Sequence, residues 1–124
     1  MTTDAISHLA TQLARGEVFD ANCRSREVLV HLTAKWNVLL LIALRDGTMR
    51  FAELRRKVNG VSERMLAKSL QQLERHHLLV RHSYPVVPPH VDYTLTHLGH
   101  EAADRMVGLT DWIEENVHAL IGSK

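Results

Sequence analysis

The sequence predicts a mainly α-helical domain that carries one small β-hairpin, and three observations predict it. Apolar residues recur at helical spacing along most of the chain. Two short runs, Leu79 to Tyr84 and Val91 to Leu95, carry the residues of extended strands. All three prolines fall between or beside those runs, in YPVVPPHVDY (Tyr84 to Tyr93). Proline cannot donate to a sheet ladder, so these positions mark strand ends and the loop joining two strands.

Each element follows from its own pattern. Ile6, Leu9 and Leu13 suggest a short N-terminal helix that ends near Gly16. Val28, Leu29 and Leu32 suggest a second helix after a loop through Asp20 and Asn22. A third, from about Ala34 to Arg45, is apolar nearly all round and is expected to be the most buried element. Asp46-Gly47 stops it. Phe51, Leu54 and Val58 share one face of a short fourth helix, which Asn59-Gly60 breaks. Ser62 reads as the N-cap of a fifth, with Glu63 in the first turn and Met65, Leu66, Leu70, Leu73 and Leu78 at helical spacing. A helix, a tight glycine-containing turn and a second amphipathic helix make a helix-turn-helix. Followed directly by two strands and a projecting loop, it becomes a winged helix-turn-helix. The last helix, from about Leu98 to Ile121, is longer and more apolar on one side than a small domain requires for its own core.

A chain of 124 residues fits one domain and can bury a self-sufficient core without disulfides or a structural metal. Its single cysteine, Cys23, fits a reducing compartment, and the first residues lack the basic-then-apolar order of a secretory signal. No apolar run is long enough to span a bilayer. A cytoplasmic protein with no membrane partner is expected. The net charge of +1 conceals an asymmetry: Arg45 to Arg81 holds nine Lys/Arg against four acids, leaving six against ten for the two ends. A locally basic centre suits a polyanion, because such attraction acts over about one Debye length, roughly 10 Å.

The candidate surface lies in that basic stretch. Arg64, Lys68, Gln71, Gln72 and Arg75 recur at intervals of three or four and are expected opposite the leucines of the fifth helix. Arginine can fork onto guanine, glutamine onto adenine, and lysine adds attraction to phosphate. Ser62, with the N–H groups of its helix terminus, is a candidate phosphate ligand. Arg50, Arg55, Arg56 and Lys57 are better suited to phosphates than to bases. The basic helix read as an ordinary solvated face is the plainer alternative. Cys23 lies beside Arg24 and near Arg26, whose positive charge would raise its thiolate fraction. The nine histidines form no recognisable metal set, and no cofactor or catalytic constellation stands out, so the chain is expected not to be an enzyme. Trp36 and Trp112, on apolar helical faces, are expected to pack in a core or a dimer interface.

CRSREVL (Cys23 to Leu29), the pair Lys35-Trp36, RFAELRRKVNGVSERMLAKSLQQLE (Arg50 to Glu74) and SYPVVPPHVDYTLTHLG (Ser83 to Gly99) resemble the HxlR-type winged helix-turn-helix transcriptional regulators, relatives in architecture of the MarR group. The resemblance covers Cys23 to about Trp112. It implies a bacterial, cytoplasmic, nucleoid-associated homodimer that binds a pseudo-palindromic operator in double-stranded DNA, often as a repressor. Residues 1–22 and 98–124 would be dimerisation arms around a DNA-binding core at 23–97. It also implies a sensor role for Cys23 toward a small electrophile or oxidant. Two departures stand out: His90 occupies the wing where many relatives carry Arg or Lys, and Arg24 follows the cysteine where Pro is common. Two rival readings have different consequences. A protein-interaction module would leave the basic helix solvated, and a regulator answering a non-covalent small molecule would not need the thiol.

Overall fold

A computed structural model describes residues 18–122 and forms two compact units, one ending at Thr33 and the other beginning at Ala34. This division falls after Thr33, whereas the sequence reading ended the N-terminal arm at residue 22. The helix expected over Ile6 to Leu13 lies outside the described residues. In the first unit, Cys23 and its neighbours open helix α1 (Arg24–Thr33), which buries none of its side chains and leaves Val28, Leu29 and Val30 exposed.

The second unit is built around α2 (Lys35–Leu44). Its leucines Leu40, Leu41 and Leu44 are fully enclosed, and the helix packs against α3 (Phe51–Lys57), α4 (Glu63–Arg75), β3 (His90–Leu95) and α5 (His97–Glu115). The expectation that it would be the most buried helix holds, with one addition: Asn37, inside this apolar run, is 0% exposed. A buried amide needs hydrogen-bond partners, and Asn37 Nδ2 donates to Gln72 Oε1 at 3.0 Å. Trp36 is only half-buried and lies beside the turn between α3 and α4, where Gly60 takes φ +99°. That left-handed backbone is cheap for glycine, as the Asn59-Gly60 break anticipated.

The sheet has three antiparallel strands in the order β1-β3-β2. The hairpin of β2 (Leu79–Tyr84) and β3 pairs Leu79 with Leu95 at its root and Tyr84 with His90 at its end. The third strand, β1 (Met49–Arg50), was not read from the sequence, because two residues are too few to show a period. It pairs Met49 with Tyr93 and Arg50 with Asp92. Strand alternation then sorts the sheet: Leu79, Tyr93 and Leu95 turn into the core, while His82, Tyr84, His90 and Asp92 share the opposite face.

Between α4 and β2 the chain turns through His77 at φ +62°, a left-handed position taken here without glycine. Leu78 N–H reaches back to Leu73 O at 3.0 Å, and His77 N–H to Glu74 O at 2.9 Å, satisfying the end of α4. Thr96 locks this turn to α5: its hydroxyl donates to His77 O at 2.7 Å and accepts from Gly99 N–H at 3.0 Å as the N-cap. Gly99 lies against the Leu78 carbonyl with no room for a Cβ. The helix expected from Leu98 to Ile121 is interrupted at Asn116, so α5 is followed by a short α6 (Val117–Ile121). Beyond buried Ala102, Ala103 and Met106, α5 exposes Leu109, Trp112 (52%) and Ile113, and α6 exposes Leu120 and Ile121. Among the described residues no single helix is long and apolar enough to cross a membrane.

Candidate nucleic-acid interface

Helix α4 buries Leu66, Ser69, Leu70 and Leu73. At about 100° per residue, the opposite direction is occupied by Arg64, Lys68, Gln71 and Arg75, all exposed. These four therefore form a single polar stripe running the length of the helix. Met65, expected among the apolar residues, is also partly exposed at the edge of the stripe. Gln72 does not join the group. It sits on the flank of the helix, half-buried, with Oε1 holding the Asn37 amide, because the enclosed asparagine requires an acceptor there. The signal that could have separated Gln72 from Gln71 was Asn37 itself, a polar residue in an otherwise apolar helix.

The helix begins as anticipated. Ser62 is the N-cap, its Oγ accepting from Met65 N–H at 3.1 Å, and the other first-turn N–H groups have no partner within the helix. Beside it, α3 carries exposed Arg55, Arg56 and Lys57. Arg55 pairs with Glu63 at 2.8 Å, whereas Arg56, Arg64, Lys68 and Arg75 form no ion pair with another described residue. Both Arg55 and Glu63 are exposed, so the pair costs little to open when a stronger anion arrives. Arg50 sits at the start of α3, its backbone N–H donating to Glu53 Oε1 at 2.7 Å and its guanidinium 3.9 Å from Asp92.

The wing differs from expectation at its tip. His90 is not there: it is paired across the hairpin with Tyr84, half-buried, its ring stacked on the tyrosine at 4.4 Å. His82 meets the same tyrosine edge-on at 4.4 Å. A hydrogen bond with Asp92 pushes the Tyr84 phenol up in pKa and keeps it protonated. The loop of residues 85–89 projects beyond this row of rings and leads with Val87, 97% exposed. Pro85 follows the last residue of β2, and Pro88 and Pro89 return the chain to β3, as read from the sequence. The tip, residues 85–89, is made of proline and valine alone, and His90 belongs to the hairpin's closing pair.

Cys23 lies just before α1, half-buried, its Sγ 2.9 Å from Ser25 Oγ. That contact lowers the thiol's pKa, against a smaller opposing effect of burial. The neighbouring arginine charges inferred from sequence are not the leading cause. Arg26 instead donates to Phe19 O at 2.7 Å.

A helix-turn-helix with an exposed basic second helix and an adjoining wing defines a DNA-binding architecture of the winged helix-turn-helix class. The chain belongs to the HxlR-like helix-turn-helix family, whose model matches residues 31–120, and is a transcriptional regulator of the helix-turn-helix type. It is 56% identical over 109 residues to YtfH, an HTH-type transcriptional regulator of Escherichia coli (strain K12), covering 88% of this chain and 86% of the relative. Among solved structures, the transcriptional regulator ytfH from Salmonella typhimurium matches with a TM-score of 0.81 and 57% identity, covering 86% of this chain and 95% of that one. The redox regulator HypR in its reduced form matches with a TM-score of 0.71 and 32% identity, covering 77% and 95%.

Proposed function

We propose that the protein is a cytoplasmic homodimeric repressor that binds a pseudo-palindromic operator through α4. The observation that carries this reading is the exposed stripe of Arg64, Lys68, Gln71 and Arg75 opposite a fully packed leucine face. In the major groove, Arg64 and Gln71 read base edges and Lys68 adds attraction to phosphate. Ser62, Arg50, Arg55 and Arg56 hold the backbone, fixing register without choosing sequence. The wing approaches the neighbouring groove with Val87 leading and His90 behind it. Gln72 serves α2 instead of the DNA. The exposed apolar faces of α5 and α6 support pairing of two copies, which would set two copies of α4 on half-sites about 10 bp, or a multiple, apart.

Cys23 is the sensor in this reading. The lowered thiol pKa and the likeness to the redox regulator HypR support it, and a small electrophile or oxidant is the expected signal. The test of the central claim is enrichment of bound duplexes from a random pool. A palindromic motif should emerge, and Arg64→Ala and Lys68→Ala should abolish its binding while the dimer persists. Equal binding of every duplex, or indifference to both substitutions, defeats the claim and favours a protein-interaction module.

A further inference from the structure

Between α4 and the hairpin lies a concave groove of about 410 Å³ lined by Ala67, Leu70, Gln71, Glu74, Arg81 and Tyr93. Its floor is apolar, made by buried Leu70 and by Tyr93, which is 8% exposed. Its walls are polar and belong to different elements. Gln71 and Glu74 come from α4, one helical turn apart. Arg81 comes from β2, opposite Tyr93 in register and on the same strand face as Leu79. It therefore projects toward α4, while His82 and Tyr84 occupy the other face of the sheet. Glu74 and Arg81 have opposite charges and line one groove, yet neither forms an ion pair with a described residue.

An α-helix with its side chains is about 10–12 Å wide and the major groove about 12 Å, so a helix seated there has a phosphate strand directly beside each flank. On the hairpin side of α4, what stands beside the helix is this groove. We infer that Arg81 and Glu74 together select the register of that strand. Arg81 takes the phosphate when Gln71 is seated on its base, and Glu74 repels the backbone when the helix sits elsewhere. An acid facing DNA weakens every arrangement in which a phosphate falls near it, and weakens least the one in which Arg81 holds that phosphate and offsets its charge. Glu74 thereby turns a loss of affinity into discrimination. This inference rests on α4 being the reading helix.

The experiment measures Kd across a salt series for the duplex enriched by the wild-type protein and for an unrelated duplex of equal length. The proteins are wild type, Arg81→Ala, Arg81→Lys, Glu74→Gln and Arg64→Ala. Arg81→Ala should reduce the log–log salt slope on the enriched duplex by about 0.9 per binding site, and Arg81→Lys should retain it. Glu74→Gln should tighten the unrelated duplex by roughly three- to tenfold while changing the enriched duplex less, so that the ratio between them shrinks. An unchanged slope for Arg81→Ala, or equal tightening of both duplexes by Glu74→Gln, overturns the inference if Arg64→Ala still loses the enriched duplex. If Arg64→Ala loses nothing, it is the reading of α4 as the DNA helix that fails.

Discussion

Single residues decide which part of the polar surface is available. Gln71 and Gln72 are adjacent and chemically identical, and their difference comes from a residue far away in sequence: Asn37 is enclosed and takes Gln72 Oε1 as acceptor. Periodicity alone could not separate the pair, since it assigns directions and not partners. Gln72→Leu should therefore lower stability by about 1–3 kcal/mol, seen as a lower urea midpoint, because it removes the acceptor of a buried donor. Base preference in a duplex selection should stay unchanged. A shift in preference with an unchanged midpoint would return Gln72 to the reading face. At Cys23 the sequence indicated reactivity but named the wrong cause, since Ser25, two residues on, is the nearer influence. The sign follows directly. A thiol with a lowered pKa is thiolate at lower pH, so alkylation of Cys23 should rise with pH through a midpoint below that of an ordinary thiol. Ser25→Ala should move that midpoint upward, and a midpoint that stays put would remove Ser25 as the cause.

At the scale of elements, the sequence was legible where a period or a cap is written locally. Ser62 caps α4, Gly60 breaks α3 from α4, and the prolines bound the hairpin loop. It was silent where an element depends on a distant partner. Strand β1 exists only because β3 lies alongside it. No proline or glycine adjoins the break at Asn116. Its side chain donates to Trp112 O at 2.9 Å, competing with the helical ladder, and a lone asparagine in a long apolar pattern is a weak sign of that. The turn at His77 was equally hidden, because a left-handed residue is usually announced by glycine. His77→Gly should stabilise the protein by about 1 kcal/mol, read as an increase in melting temperature, since it relieves the Cβ contact and keeps the carbonyl that Thr96 uses. A decrease would mean that the imidazole contributes more than its backbone strain costs.

At the scale of the molecule, the charge asymmetry and the surplus apolar surface are two halves of one design. Basic residues gather on α3, α4 and the hairpin, whereas α5 and α6 carry a run of exposed apolar residues from Leu98 to Ile121, the surface on which the proposed pairing of two copies would rest. Trp112→Glu should yield a monomer by light scattering and reduce operator affinity at least tenfold, because one half-site cannot supply the contacts of two. A dimer that survives the substitution would place the interface elsewhere. The sequence made this surplus visible in the length of the last helix, though no residue count could say what covers it. β3 ends at Leu95 and α5 begins at His97, with only Thr96 between them, and Thr96 is fastened on both sides: to His77 by its hydroxyl and to Gly99 by its cap. The hairpin is therefore no loose flap but the short arm of a crank whose long arm is α5. With Thr96 held on both sides, the root of the hairpin and the first turn of α5 are fixed to each other, and the place of the wing is set from the end of the last long helix.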